Sequence, residues 1–273
     1  MNIKNSPNIT AIITTKDRGE SVCKALKSIG ANNYQHCKVI IVDQSTDDST
    51  QQAISRYLNE PDFTYIRSNS IGSSAGRNIA IENSETELIA ITDDDCEVSE
   101  DWLNNMAEAF QSDERIGIVY GKVEPGRSVN RSEFITTYLE NDSFTVKSIY
   151  DSKCLQGLSA NMGITKSVWE KLNGFDEMLG AGVHFDSCEE TDLNIRALLN
   201  GYYVHYSPVL TVKHHGYRDR RESQSLIEGY AYGNGALFAK HIKCGHYGMI
   251  CVLMRQISTW AFGKSWVMTG TNT

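Results

Sequence analysis

Glu87-Leu88-Ile89-Ala90-Ile91-Thr92-Asp93-Asp94-Asp95 decides the fold: an Ile-rich apolar run that ends in three consecutive carboxylates. A run of that length without polar alternation reads as a strand buried on both faces, which places it inside a parallel sheet. Ligands of such sheets gather at the carboxyl ends of the strands. Three acids side by side repel one another there unless a cation or hydrogen-bond donors hold them. A hard divalent ion, Mg2+ or Mn2+, itself carrying phosphate oxygens, meets that requirement. The competing reading is a solvated turn whose acids cap the helix that starts near Asp101.

On the N-terminal side of this strand, Ile9-Thr10-Ala11-Ile12-Ile13-Thr14 and Lys38-Val39-Ile40-Ile41-Val42 read as strands, and Phe63-Thr64-Tyr65-Ile66 as a shorter one. Between the first two, Val22, Ala25, Leu26 and Ile29 recur at helical spacing. Polar residues 45–50 cap a second helix expected to run to about residue 59, and residues 71–78 open a third. Strands separated by helices give the rhythm of a parallel sheet with right-handed crossovers. On the C-terminal side, residues 102–110 read as a helix, residues 116–120 and 159–164 as strands, and residues 166–172 as a helix. Residues 124–152 lack periodicity and read as an excursion over the sheet. Gly180-Ala181-Gly182 reads as a mobile loop beside a site. Glu189 starts a helix ending before Gly201, and the last strands, residues 202–206 and 209–212, are joined across Pro208. A boundary is expected near residue 216, with a domain over 1–215 and a helical extension over 216–273.

The whole chain has 273 residues, 40% hydrophobic and 22% charged, which suits a soluble globular protein. A net charge of −8 argues against a nucleic-acid partner. Seven scattered cysteines without paired spacing suit reduced thiols better than a disulfide framework. Residues 1–7 are polar, and no apolar run is long enough to cross a bilayer. A cytoplasmic protein is therefore expected.

Asp43, at the end of the second strand, is a second candidate; with that strand beside the acidic one, both would face one cleft. Its alternative is a turn or helix-cap residue. The turn after the first strand, Thr14-Thr15-Lys16-Asp17-Arg18, has neither a P-loop nor a dinucleotide glycine pattern. A diphosphate would then need a cation rather than a glycine nest. Glu189-Glu190-Thr191-Asp192 opens a helix, where acids stabilise the macrodipole with no further duty. One of them projecting into the cleft would instead be a general base.

Taken together, Thr14-Thr15, Val42-Asp43-Gln44-Ser45-Thr46-Asp47, Ala75-Gly76-Arg77-Asn78 and Thr92-Asp93-Asp94-Asp95 resemble the successive motifs of family 2 glycosyltransferases. Gly174-Phe175-Asp176-Glu177 with Glu189-Glu190-Thr191-Asp192-Leu193 resembles that family's acceptor-side block. Each motif is loose alone, but five in order over residues 8–215 are specific. The resemblance implies a GT-A fold, a Rossmann-like α/β arrangement with a mixed, mainly parallel sheet. It also implies a nucleotide-sugar donor, inversion at the anomeric carbon, an Asp-x-Asp-type metal site and a helix-start carboxylate as base. On that reading Thr14, Asp43, Arg77, Asp93 and Asp94 serve the donor, Asp95 holds Mn2+ or Mg2+, and Glu190 is the base. Two departures stand out. The segment after Asp43 is one residue short, leaving Asp43 or Gln44 for the nucleobase, and the usual Glu-Asp is Glu189-Glu190. UDP is the expected nucleotide, because a carboxylate can accept from uracil N3–H. Rival readings are a sugar nucleotidyltransferase, which would carry a glycine-rich first turn, and a binding protein that has lost catalysis.

His214 adds a further ligand. Alternation puts Leu210, Val212 and His214 on one strand face and Lys213 and His215 on the other. With the apolar face inward, His214 emerges at the cleft and joins Asp95 on the metal, as the family often has a histidine there. Its alternative is a half-buried histidine bonded to backbone. Last, Ile250, Leu253, Met254, Ile257 and Ala261 form a helical stripe near Arg255 and Lys264. The stripe is expected to pack on the protein's own core or on a second subunit, or else to reach a membrane, at its inner face, holding a lipid-linked or other carbohydrate acceptor.

Overall fold

The computed structural model describes residues 7–126 and 134–261. Its first half follows the crossover rhythm: β1 (Ile9–Thr15), α1 (Gly19–Gly30), β2 (Cys37–Asp43), α2 (Ser49–Ala53), β3 (Phe63–Arg67), α3 (Ser73–Glu82) and β4 (Leu88–Thr92). The expected second helix is cut to one turn and a separate 3-10 turn, Ser55–Tyr57. After β4 come β5 (Cys96–Val98), α4 (Trp102–Gln111), β6 (Ile116–Pro125), β7 (Phe144–Val146), β8 (Asn161–Thr165) and α5 (Lys166–Lys171). α6 (Glu189–Leu199), β9 (Tyr203–His214), α7 (Arg220–Lys243) and α8 (Gly248–Ala261) complete the described elements.

The strands form one sheet in the order β3-β2-β1-β4-β8-β6-β9-β5, with β7 added to β9. β3, β2, β1 and β4 are mutually parallel. β8 runs antiparallel between β4 and β6, and β6 is parallel to β9. β2 and β4 are therefore not neighbours, as the shared-cleft reading of Asp43 assumed; both flank β1. The expected pair of last strands is one strand, β9. Opposite Gly121 and Lys122 its register jumps from Ser207 to Thr211, and Pro208 sits in the irregularity. Proline has no N–H for a ladder, so a bulge is where it fits.

Two apolar layers sandwich the sheet. Val22, Leu26, Trp102, Met106 and Phe110 of α1 and α4 pack with Ile9, Ile13 and Ile41 on one face. The α1 residues buried are Val22, Ala25, Leu26 and Ile29, the four at helical spacing. Each large aliphatic side chain so enclosed gains about 1.5–3 kcal/mol over leaving it in water. On the other face Ile12, Ile89 and Ile91 join Ala80 and Ile81 of α3, Leu193 of α6, and Leu237, Phe238, Met249 and Val252 of the last two helices. The C-terminal helices thus share the sheet's core. In α8 it is Met249 and Val252 that turn inward, with Leu253 half-buried, whereas Ile250, Met254 and Ile257 are exposed. Own-core packing of the predicted stripe therefore falls to its neighbours. Lys264, named with that stripe, lies outside the described residues. No described helix is long and apolar enough to cross a membrane. All seven cysteines are free.

Candidate active site

A cleft of about 690 Å³ opens where β1 and β4 end, walled by α3, the 181–190 segment and the start of α7. Thr14, Arg77, Asp93, Asp94, Asp95, Glu189, Glu190 and His214 all line it. β4 supplies the acids because its five residues are wholly buried and the chain can turn polar only where it leaves the sheet. Gly76 lets α3 come down on the strand ends: a Cβ there would lie 2.8 Å from Thr14 Cγ2.

The three acids take three different partners. Asp93 Oδ1 accepts from Arg77 Nη2 at 3.2 Å. Asp94 accepts from Thr15 Oγ1 at 2.7 Å and from Arg18 Nη1 at 3.2 Å. Asp95 accepts from Arg18 Nη1 at 3.1 Å and lies 3.3 Å from His214 Nε2. Burial pushes the Asp94 carboxyl up to about 6, against the pull of Arg18. It raises Asp93 too, with Arg77 opposing. At Asp95 burial is outweighed by the hydrogen bond and charge of His214, and the carboxyl is held below its usual range.

His214 is buried, and its Nδ1 lies 3.0 Å from the Thr136 carbonyl oxygen. Nδ1 donating to that oxygen leaves Nε2 facing Asp95, the tautomer a metal-binding imidazole needs. The alternation read from β9 is observed: Leu210, Val212 and His214 are buried and Lys213 is exposed. His215 turns away, its Nε2 3.0 Å from Glu97. Asp95, Cys96 and His214 present ligand atoms within 4.8 Å of one another. Burial and the neighbouring Asp93 and Asp95 charges drive the Cys96 thiol well up, so it stays a protonated sulfur. The donor set that remains, a carboxylate and a neutral imidazole, fits Mn2+ or Mg2+. Arg18 now supplies the positive charge, and at 53% side-chain exposure it is free to swing aside.

Glu189 and Glu190 open α6 behind Cys188, whose backbone is left-handed (φ 72°). Glu189 Oε1 accepts from Arg77 Nη1 at 2.7 Å, both groups buried. Arg77 thus spans the cleft wall from Asp93 to Glu189. Burial and the charge of Glu189 raise the Glu190 carboxyl well above the usual range, which makes its carboxylate the stronger base.

Asp43 is not in the cleft lining. It is fully buried, accepting from Ser45 N at 2.9 Å and Tyr65 Oη at 2.7 Å, with Arg67 Nη1 at 3.5 Å. Gln44, its neighbour, does line the cleft, and its Nε2 donates to the carbonyls of Ser70 and Gly72. Arg18, Arg218, Asp186 and Tyr230 also reach the lining. A search of the first turn for glycines passed over its arginine; for Thr136, whose carbonyl steadies His214, no sequence signal exists.

Fold and site define an α/β enzyme with an acidic, cation-ready cleft at its strand ends. The chain belongs to glycosyl transferase family 2, whose sequence signature matches residues 10–169. Over 232 residues it is 27% identical to the O-antigen chain rhamnosyltransferase RfbN of Salmonella typhimurium, covering 81% of this chain and 70% of that one. Glycosyltransferase AglE of Haloferax volcanii is 24% identical over 190 residues, 66% of this chain and 60% of the relative. Among solved structures, a mannosyltransferase from Pyrobaculum calidifontis in complex with GDP-Man and Mn2+ superposes with TM-score 0.65 at 20% identity, covering 88% of this chain and 65% of that one. S. aureus TarS superposes with TM-score 0.60 at 18% identity, over 78% of this chain and 60% of the other. The fold is GT-A, as expected. This chain spans about three fifths of AglE and of that TarS chain.

Proposed function

We propose that this protein is an inverting glycosyltransferase that moves a sugar from a nucleoside-diphosphate donor, UDP by preference, to an acceptor hydroxyl in polysaccharide or glycoconjugate synthesis. The observation that carries the reading is the convergence of Asp95, His214, Arg77 and Glu190 on one open cleft at the strand ends. The UDP preference is supported by the UDP and UDP-GlcNAc complexes of TarS, although the mannosyltransferase relative was captured with GDP-Man. On this reading 1–215 is the catalytic unit and 216–273 its helical extension.

Asp95 and His214 would hold the divalent ion, which would supply positive charge to the departing diphosphate. Thr14, Asp93 and Asp94 would meet the ribose and diphosphate side of the donor. Gln44, at the cleft wall where Asp43 is not, would take the nucleobase edge. Arg77 would order the wall, fixing Asp93 and Glu189 together. Because Arg77 occupies Glu189, Glu190 is the carboxylate left to take the acceptor's proton as its oxygen attacks the anomeric carbon. Glu190→Gln tests this. UDP affinity should stay within twofold of wild type while sugar transfer from a UDP-sugar falls about 10²-fold or more. Near-normal turnover would return Glu190 to the role of a helix-start acid.

A further inference from the structure

Beside the cleft, on the side away from the acid triplet, three aromatic rings meet. His184 and Phe185 lie 4.8 Å apart edge to face, His184 and Tyr232 5.5 Å apart, and Phe185 and Tyr232 5.4 Å apart. Tyr232 Oη and His184 Nε2 are 3.2 Å apart, so the outer edge of the cluster is locked by a hydrogen bond. Tyr232 is 54% exposed and His184 is exposed, while Phe185 is half-buried beneath them.

Their place in the chain ties the rings to the cleft. Phe185 immediately precedes Asp186, Ser187 and Cys188, all in the cleft lining and leading directly into the Glu189-Glu190 turn. Tyr232 follows Ser225, another lining residue, by two helical turns and so stands on the same face of α7. Asp186 packs against α7 at Gly229 and bonds Gly182 N at 2.9 Å, which holds loop and helix together. Aromatic rings exposed to water on a mobile loop have no packing reason to be there; three of them fixed against each other make a rigid apolar face. That face is rimmed by a hydroxyl, an imidazole and the exposed Asp186 carboxylate, all able to bond hydroxyl groups.

An apolar plane with polar edges is the complement of a pyranose ring, whose C–H face is apolar and whose rim carries hydroxyls. We infer that His184, Phe185 and Tyr232 form a stacking platform for a sugar unit of the acceptor. The acceptor is then a saccharide, bound next to the reacting hydroxyl, and the enzyme extends an existing glycan rather than glycosylating a bare alcohol or lipid. This deepens the transferase reading and rests on it.

The probe is an array of bacterial surface-polysaccharide fragments and of hexose, N-acetylhexosamine and deoxyhexose oligosaccharides, with UDP plus Mn2+ titrated separately. Wild-type protein should be retained on at least one glycan class. Tyr232→Ala and His184→Ala, both at exposed positions, should weaken that retention about tenfold while UDP affinity stays unchanged. Tyr232→Trp should restore retention, which a merely structural role for the tyrosine would not allow. No glycan retained by the wild type, or equal retention by both alanine variants, overturns the platform. Loss of UDP binding in the wild type would instead strike the transferase reading, so the two failures are distinguishable.

Discussion

Asp192→Asn is the sharpest test of how the catalytic wall is held. Asp192 is fully buried in α6, two residues after Glu190, and faces three cations: Arg196 at 2.7 Å, Lys240 at 2.5 Å and His241 at 3.1 Å. Burial alone would raise its carboxyl, but the His241 hydrogen bond and the Arg196 and Lys240 charges outweigh it and hold the group far below the usual range. Removing one partner of a buried ionic cluster costs about 3–5 kcal/mol. The lower end applies here, because Lys240 keeps Asp176 at 2.7 Å and Arg196 keeps the Leu172 and Gly174 carbonyls. For a chain of this size about 3 kcal/mol lowers the melting temperature by about 5 °C. The sign with pH follows from the depressed carboxyl. Its stabilisation is whole above the unfolded aspartate value of about 3.9 and is lost as pH falls from there toward the folded value. Thermal melts should therefore show a constant gap between wild type and Asp192→Asn from pH 8 to 5, closing below about pH 4. A gap under about 1 °C at pH 7, or one unchanged in acid, would refute the argument.

His214→Ala should weaken Mn2+-dependent UDP binding by about tenfold or more, and His215→Ala far less, since His215 faces Glu97 on the other side of β9. Equal effects in isothermal titration would remove His214 from the metal site. The outward face of α8, where Ile250, Met254 and Ile257 are 44%, 60% and 48% exposed, is tested by vesicle flotation at low salt. A net charge of −8 opposes anionic lipid, so no co-flotation is expected; a floating band would assign that face to a membrane.

What the sequence disclosed tracks what local pattern can encode. The first four strands were legible because each is an apolar run between helical stripes, and burial of Val22, Ala25, Leu26 and Ile29 is the stripe itself. β5 and β7 were not, being three residues each and held only by pairing with β9. Pro208 reads as a break in any one-dimensional scan; only the partner strand β6 reveals that the chain steps over a bulge and continues. The link between two distant motifs was equally invisible. Asn78 Oδ1 accepts from Phe175 N and Trp169 Nε1 while its Nδ2 donates to the Phe175 carbonyl, fastening the 173–177 turn to α3.

The acid triplet shows where sequence reading stops at a site. Asp93, Asp94 and Asp95 are chemically identical and adjacent, so composition ranks none above another. As the chain leaves β4 each side chain points to a different neighbour. Asp93 meets a buried arginine, Asp94 a threonine and a half-exposed arginine, and Asp95 a histidine from the far strand β9. Those partners, not the acids, set the differences: two carboxyls rise with burial, and one falls because His214 is beside it. The same logic separates Glu189 from Glu190, since Arg77 takes the first and leaves the second. At both sites function is assigned by which like-charged neighbour is already paired, and that is a property of tertiary contacts reaching across 79 residues from Thr15 to Asp94 and 112 residues from Arg77 to Glu189.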